Sequence, residues 1–220
     1  MTAWAAYFPV PVRHGLTMGE LARLHNLLGK AGTKLEVIPL KGWKRELWYD
    51  ETGLPWTPPS PNMPDVEAAS LYPGIGVFEA SNLAVGRGTP IPFRWIGAPW
   101  MRSEEIASRL QGTVEGVEFS AQDYTPSKSV FEGQLCHGVK MTVTDRDAMR
   151  PLAVFRHLAL SLRELHPKEF EWRWDEVKRM VGVEEFHLMW DTGADDAAFL
   201  GLFDKGPRDF EAARRSVLLY

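Results

Sequence analysis

Leu21, Leu24 and Leu28 recur three and four residues apart, the spacing of one helix face. Thr17-Met18-Gly19-Glu20 ahead of them has the form of a capping box, and Gly29 after them suits a helix stop. From Lys34 to Leu40 the reading changes. Leu35 and Val37 fall on one face and Ile38 and Leu40 on the other, which predicts a strand buried on both sides. Ile75, Val77 and Phe78 predict a short strand ending at Glu79. Ser103-Glu104-Glu105 opens a second helix, with Ile106 and Leu110 on its inner face. Val117 and Phe119 predict one strand, and the alternating Val139, Met141 and Val143 a further one. The clearest helix runs from Asp147 to Leu165, striped by Leu152, Phe155, Leu158, Leu162 and Leu165. Pro151 is tolerable there because the first turn's N–H groups lack partners. A last helix is expected from Pro207, with Phe210, Ala213 and Val217 on one face. The alternation predicts an α/β domain, or alternatively α+β, with a mixed sheet flanked by helices.

Between these elements lie segments that repeat no period. Residues 53–64 carry five prolines in the run Gly-Leu-Pro-Trp-Thr-Pro-Pro-Ser-Pro-Asn-Met-Pro. Such a run excludes helix and central strand. It is either a stiff connection between lobes or a rigid loop presenting Ser60 and Asn62 to a cleft. Gly86-Arg87-Gly88-Thr89 sets an arginine between two glycines, where the backbone can turn tightly and approach a ligand closely. No Gly-Lys-Ser/Thr follows, so this is not a phosphate loop. Pro- and Gly-rich loops of this kind are expected to line a cleft.

Composition narrows the chemistry. With 220 residues, 45% of them hydrophobic, the chain can bury a sizeable core. A net charge of −4 leaves no electrostatic footprint for nucleic acid. The lone Cys136 excludes an internal disulfide, and the six histidines are scattered, with no pair at metal-ligand spacing. No metal or cofactor is expected. The amino-terminal residues lack the charged and apolar regions of a signal peptide, and no run is long enough to span a membrane. As written, the chain is expected to stay where it is made, in the cytoplasm, while a single cysteine fits an extracytoplasmic bacterial protein as well. The nine tryptophans either fill the core or offer flat faces for sugar stacking. Among the carboxylates, Glu79 has the most unusual setting, at the end of an apolar run and beside glycines.

Several longer motifs carry a resemblance. They are Tyr7-Phe8-Pro9-Val10-Pro11-Val12-Arg13-His14-Gly15-Leu16-Thr17-Met18-Gly19-Glu20, Pro59-Ser60-Pro61-Asn62-Met63-Pro64, Tyr72-Pro73, Phe78-Glu79 and Gly86-Arg87-Gly88-Thr89. Ile96-Gly97-Ala98-Pro99, Leu135-Cys136-His137-Gly138-Val139 and Val143-Thr144-Asp145-Arg146-Asp147 continue the series. In this order they resemble the NamZ-type exo-β-N-acetylmuramidases, over nearly the whole chain and more weakly over 168–206.

The resemblance implies a peptidoglycan-sugar hydrolase with a cleft between a Rossmann-like N-terminal domain and a smaller C-terminal one. Residues 1–52 would end the first domain or form the junction, and 53–220 would be the second. Glu79 would be the catalytic candidate. Arg87, Asn62, Asn82, His137, Arg13 and His14 would bind substrate, with Arg87 reading the lactyl carboxylate of N-acetylmuramic acid. Two departures stand out. The family's Gly-Pro-Glu-His-Gly segment, with its expected catalytic glutamate, does not occur in this sequence, and Val85 replaces the glutamate usual before Gly-Arg-Gly-Thr. The expected partners are a peptidoglycan-derived sugar and a separate or missing Rossmann-like domain. The chain alone is then catalytically incomplete, or serves as a non-catalytic wall-sugar binding or scaffold module.

Overall fold

Three strands, β1 (Trp95–Ala98), β2 (Val117–Ala121) and β3 (His137–Val143), form a sheet in the order β1-β3-β2. Both pairings are antiparallel, with Gly97 opposite Gly138 and Phe119 opposite Met141. A computed structural model of the chain describes residues 10–29, 32–182, 184–202 and 210–220. The Tyr7-Phe8-Pro9 start of the first motif, the amino-terminal segment read for a signal peptide and the expected helix start at Pro207 lie outside the described residues.

The sheet corrects the expectation of mixed strand directions. Helix α3 (Ser103–Leu110) separates β1 from β2 in sequence, as in a crossover unit, but β3 inserts between them. Tyr124 and Cys136 pair beyond the ends of β2 and β3, so their connection works as a long hairpin. Helices and strands are both present, as expected.

The described residues fall into two compact units, one of residues 57–202, the other of 10–56 with 210–220. The first holds the sheet. Trp95 is fully buried, and its indole donates from Nε1 to the Gln122 carbonyl at 2.7 Å. The ring lies across Gly97 and Gly138, where an added Cβ would come within 2.3 and 2.2 Å of ring carbons. Packing space, more than turn formation, thus explains the glycines of Ile96-Gly97-Ala98 and Cys136-His137-Gly138.

Helix α3 packs against β2, β3 and helix α4 (Pro151–Leu165), which in turn meets α2 (Val66–Ile75). The approach of α2 to α4 is close: a Cβ on Gly74 would lie 2.1 Å from the Pro151 carbonyl oxygen. Beside α4, Phe78 stacks on Trp172 at 5.5 Å, and Phe170, Phe186 and Trp190 extend the cluster. Further short helices follow: α5 (Trp174–Val181), α6 (Glu184–Asp191) and α7 (Asp196–Leu200).

Three local expectations change. The expected strand before Glu79 is instead the end of α2 followed by a 3-10 helix over Gly76–Ala80. Asp65 caps α2 at the Ala68 N–H, and Ala68, Leu71 and Ile75 are buried at helical spacing. Helix α4 starts at Pro151, not Asp147. Before it, the Asp145 carboxylate accepts from the N–H groups of Asp147 (2.9 Å) and Ala148 (3.1 Å) and holds a turn. Lys34 to Leu40 forms no strand, and Ile38 is 88% exposed. Among the described residues it has no partner strand, and an unpaired strand leaves its backbone polar groups unmet.

In the second unit, helix α1 (Met18–Leu27) begins with the expected capping box on Thr17, and α8 (Phe210–Arg215) lies near the carboxyl terminus. The fully buried Glu20 joins separate stretches of chain. Its carboxylate accepts from the N–H groups of Thr17 and Leu219, both at 2.8 Å, and from Arg45 at 2.6 Å. Burial pushes the Glu20 pKa up, but the donors Leu219, Thr17 and Arg45 outweigh it, and the net shift is downward.

Gly138→Ala should destabilise the sheet-bearing unit by about 1–3 kcal/mol, because the methyl meets a buried ring that has no room to move. A urea melt followed by tryptophan fluorescence measures this. A change of only a few tenths would mean that Trp95 does not need the glycine. For the other unit, stability from Glu20 is complete above its ordinary pKa near 4.5 and lost as pH falls through the lowered folded value. Glu20→Gln should lower stability at pH 7 by roughly 1–3 kcal/mol and remove that part of the acid dependence. Parallel acid limbs for the two proteins would refute the assignment.

Candidate functional site

Ala84 forms a bridge with Gly97, exchanging two hydrogen bonds of 2.9 Å, and so lies along the outer edge of β1. The chain then leaves the sheet as a loop over 85–93, closed by the Phe93 N–H donating to the Val85 carbonyl at 2.9 Å. Gly86 and Gly88 both have φ of +79°, a left-handed conformation that side chains rarely take. Space forbids substitution as well. A Cβ on Gly86 would lie 2.7 Å from the Ile91 carbonyl oxygen, and one on Gly88 2.7 Å from the Lys128 backbone. Thr89 ties the turn by donating from Oγ1 to the Gly86 carbonyl at 2.7 Å.

This rigid loop fixes Arg87. Its Nε donates to Glu79 Oε1 at 2.5 Å, and its guanidinium carbon sits 5.1 Å from the centre of the Phe93 ring. Phe93 meets Tyr72 edge-on at 4.8 Å. The Glu79 side is held by Arg173, whose guanidinium donates to the backbone carbonyls of Glu79 and Ser81. Both charged side chains keep a solvent-facing edge, 24% for Glu79 and 30% for Arg87. Of the described non-glycine residues, Phe93, Ser129 and Phe131 have positive φ. All three lie in the loops around this pair, and such strain often gathers at functional sites.

Beside Gly88 and Thr89 opens a hollow of about 470 Å³. Pro61, Asn62 and Pro64 form one side, Pro90 and Pro92 another, and Ser127 with Lys128 a third. The proline-rich run thus brings Asn62 next to the arginine-bearing loop.

His137 lies elsewhere. It pairs with Ala98, and none of the residues around its hollow lines the one beside Gly88. Its Nδ1 is 3.0 Å from Asp123 Oδ2, and with Arg102, Ser103, Glu104 and Glu105 it lines a separate hollow of about 680 Å³. Asn82 has both ends of its amide engaged. Its Nδ2 donates to the Glu169 carbonyl at 2.7 Å, and its Oδ1 accepts from the Glu171 N–H at 3.1 Å. Arg13 and His14 belong to the other compact unit. There His14 Nδ1 accepts from the Leu16 N–H at 3.1 Å, and burial lowers its pKa.

No tryptophan lines either hollow; Trp95 and Trp172 are core residues. Cys136 is also buried, which pushes its thiol pKa up. No group of three or more His, Cys, Asp or Glu residues gathers as a metal site among the described residues, and no helix there is long and apolar enough to cross a membrane. Sequence reasoning missed Arg173, Asp123 and Lys128. Aligning β2 with β3 would have revealed Asp123 opposite the His137 end, but Arg173 sits in a segment without any local signal.

Comparison with known proteins gives a consistent picture. The family model for the C-terminal part of the exo-β-N-acetylmuramidase NamZ matches residues 70–220, and that for its N-terminal part matches residues 1–67. The peptidoglycan β-N-acetylmuramidase NamZ of Bacillus subtilis (strain 168) is 34% identical over 220 residues, 99% of this chain and 53% of the relative. The chain therefore spans about half the length of that curated relative. A crystal structure of a DUF1343 family protein from Bacteroides fragilis NCTC 9343 is similar at a TM-score of 0.87 and 26% identity, covering 98% of this chain and 59% of that one. A second DUF1343 protein from the same organism shares the fold at a TM-score of 0.73 and 24% identity, covering 98% and 58%.

The Glu79–Arg87 pair is partly solvated and should contribute only about 0.5–1 kcal/mol to stability. Glu79→Gln should therefore barely move the urea midpoint. Gly88→Ala, which drives a methyl into the Lys128 backbone, should cost about 2 kcal/mol or more. A Glu79→Gln loss as large as that of Gly88→Ala would make the pair a structural brace.

Proposed function

The chain belongs to the NamZ exo-β-N-acetylmuramidase family, and we propose that it supplies substrate-binding groups, and one reacting carboxylate, of a peptidoglycan-sugar hydrolase. Its substrate would carry N-acetylmuramic acid at the non-reducing end. The observation that carries this reading is the 2.5 Å Glu79–Arg87 contact on a loop that cannot relax, next to a proline-walled hollow. Glycoside hydrolysis usually needs two carboxylates flanking the bond. Glu79 is the candidate on this chain, and Arg87 holds it in position. The division of labour follows the expected boundary, with residues 53–220 as the C-terminal domain. The second carboxylate would come from the Gly-Pro-Glu-His-Gly segment of the Rossmann-like half, on the same or another polypeptide.

One observation favours a binding module without catalysis. Val85 is only 4% exposed, so a buried apolar group stands where the resemblance expects a carboxylate. With Val85 in that place, Glu79 is the only carboxylate recorded against Arg87 among the described residues.

The two readings separate in one assay. The 220-residue chain should release no chromophore from a chromogenic β-N-acetylmuramide, because loss of one acid–base carboxylate costs about 10²–10⁴-fold. Supplied with the missing half, it should turn over, and Glu79→Gln should reduce that rate by a similar factor. Undiminished turnover in Glu79→Gln would remove Glu79 from the chemistry. Sugar binding without turnover, even with the missing half present, would favour the module.

A further inference from the structure

We propose that the proline-walled hollow beside the Gly-Arg-Gly-Thr loop is a carboxylate subsite anchored by Lys128. This rests on the muramic-sugar reading only for the identity of the natural ligand. Arg87 has the geometry to grip a carboxylate, but its Nε edge is already engaged by Glu79, and the two charges cancel. Lys128 lines the hollow as an exposed residue and forms no ion pair among the described residues. Next to the neutralised Arg87–Glu79 pair, it is the one residue lining the hollow that brings net charge.

Lys128 is also held in place by its backbone. Ser127 donates to the Gly88 carbonyl from its N–H at 2.9 Å and from Oγ at 3.0 Å. The Gly133 N–H donates to the Pro126 carbonyl at 2.9 Å and closes the loop around Lys128. Inside it, Ser129 and Phe131 have φ of +74° and +61°. Phe131 packs on the cluster of Ala84, Ile91, Trp95 and Cys136, so the strained loop is nailed to the sheet. Asn62 also lines the hollow, half-buried and with no side-chain hydrogen bond among the described residues. Its amide can both donate to and accept from a ligand. Four prolines form the remaining walls, so little backbone freedom is lost when a ligand enters.

One cationic residue and one amide among proline walls fit a small hydroxylated acid. The lactyl ether of N-acetylmuramic acid has that form. On this assignment Lys128 distinguishes the muramic sugar from N-acetylglucosamine, and Arg87 serves the Glu79 side of the site.

Calorimetric titration of the full chain with N-acetylmuramic acid, its methyl ester and N-acetylglucosamine tests this. Lys128→Gln should weaken the acid roughly fivefold and leave the ester and N-acetylglucosamine unchanged. Lys128→Arg should retain most of the affinity for the acid. Selective loss of the acid in Arg87→Ala, with Lys128→Gln like the parent, would overturn the assignment. NMR titration with D-lactate reads the subsite without a sugar. Shifts centred on Ser127, Lys128 and Asn62, absent in Lys128→Gln, support it even if no sugar binds; sugar that fails to bind with the missing half supplied then counts against the muramidase reading alone. No such shifts at millimolar lactate, together with equal sugar binding in Lys128→Gln and parent, would end the proposal.

Discussion

The Trp95 indole, laid across Gly97 and Gly138, is the constraint on which the sheet-bearing unit depends. Two neighbouring strands each lack a side chain at the same level, and one buried ring fills the space. This locks register: slipping either strand by one residue would drive a side chain into the indole and turn every neighbour to the wrong face. The ring's N–H reaches the Gln122 carbonyl just beyond β2, so one residue ties all three strands. Gly97 has a further duty, because both its backbone groups bond Ala84. The loop carrying Arg87 departs from that bond pair. The position of the charged pair is therefore inherited from the packing of a tryptophan.

From that anchor the loop is stiffened by contacts that only glycine permits. Gly86 and Gly88 supply left-handed backbone and also the absence of a methyl where other carbonyls and N–H groups approach. Non-glycine left-handed residues cost of order 1–3 kcal/mol each, yet Phe93, Ser129 and Phe131 all occur in these loops. The sheet and the Ala84–Trp95–Cys136 cluster offset that cost. What results is a set of polar groups, Glu79, Arg87, Asn62 and Lys128, presented by stiff backbone, and the proposed ligand would find them already in place. Preorganisation of this kind lets a few polar groups bind selectively.

The smaller unit follows a different logic. Its centre is a buried carboxylate, and Glu20 gathers the start of α1, the Arg45 segment and the carboxyl-terminal stretch at Leu219. A charge buried this fully is tolerable only because donors surround it. Apolar positions meanwhile stay in solvent, Met18 at 82% and Ile38 at 88%. The chain spans about half the length of the curated NamZ relative.

Wherever structure follows from neighbours in sequence, the residues alone determined it. The Thr17 capping box starts α1, the acidic turn starts α3, alternation marks β2 and β3, and the stripe through Leu158 and Leu162 marks α4. The Gly-Arg-Gly-Thr loop and the proline-rich run were equally legible, since glycine and proline act through their own dihedral angles. Tertiary structure decided what depends on distant partners. Lys34 to Leu40 reads as a strand, but a strand needs a neighbour, and none is present among the described residues. Alternating helices and strands suggested mixed directions until β3 inserted between β1 and β2. His137 and Arg87 belong to motifs of one family, yet His137 lines one hollow and the Arg87 loop borders another. That Asn82 braces a loop while Lys128 lines the hollow depends on contacts across 87 residues of chain in one case and 39, through its neighbour Ser127, in the other. No local pattern encodes such contacts, because they exist only once the sheet has fixed where each loop begins.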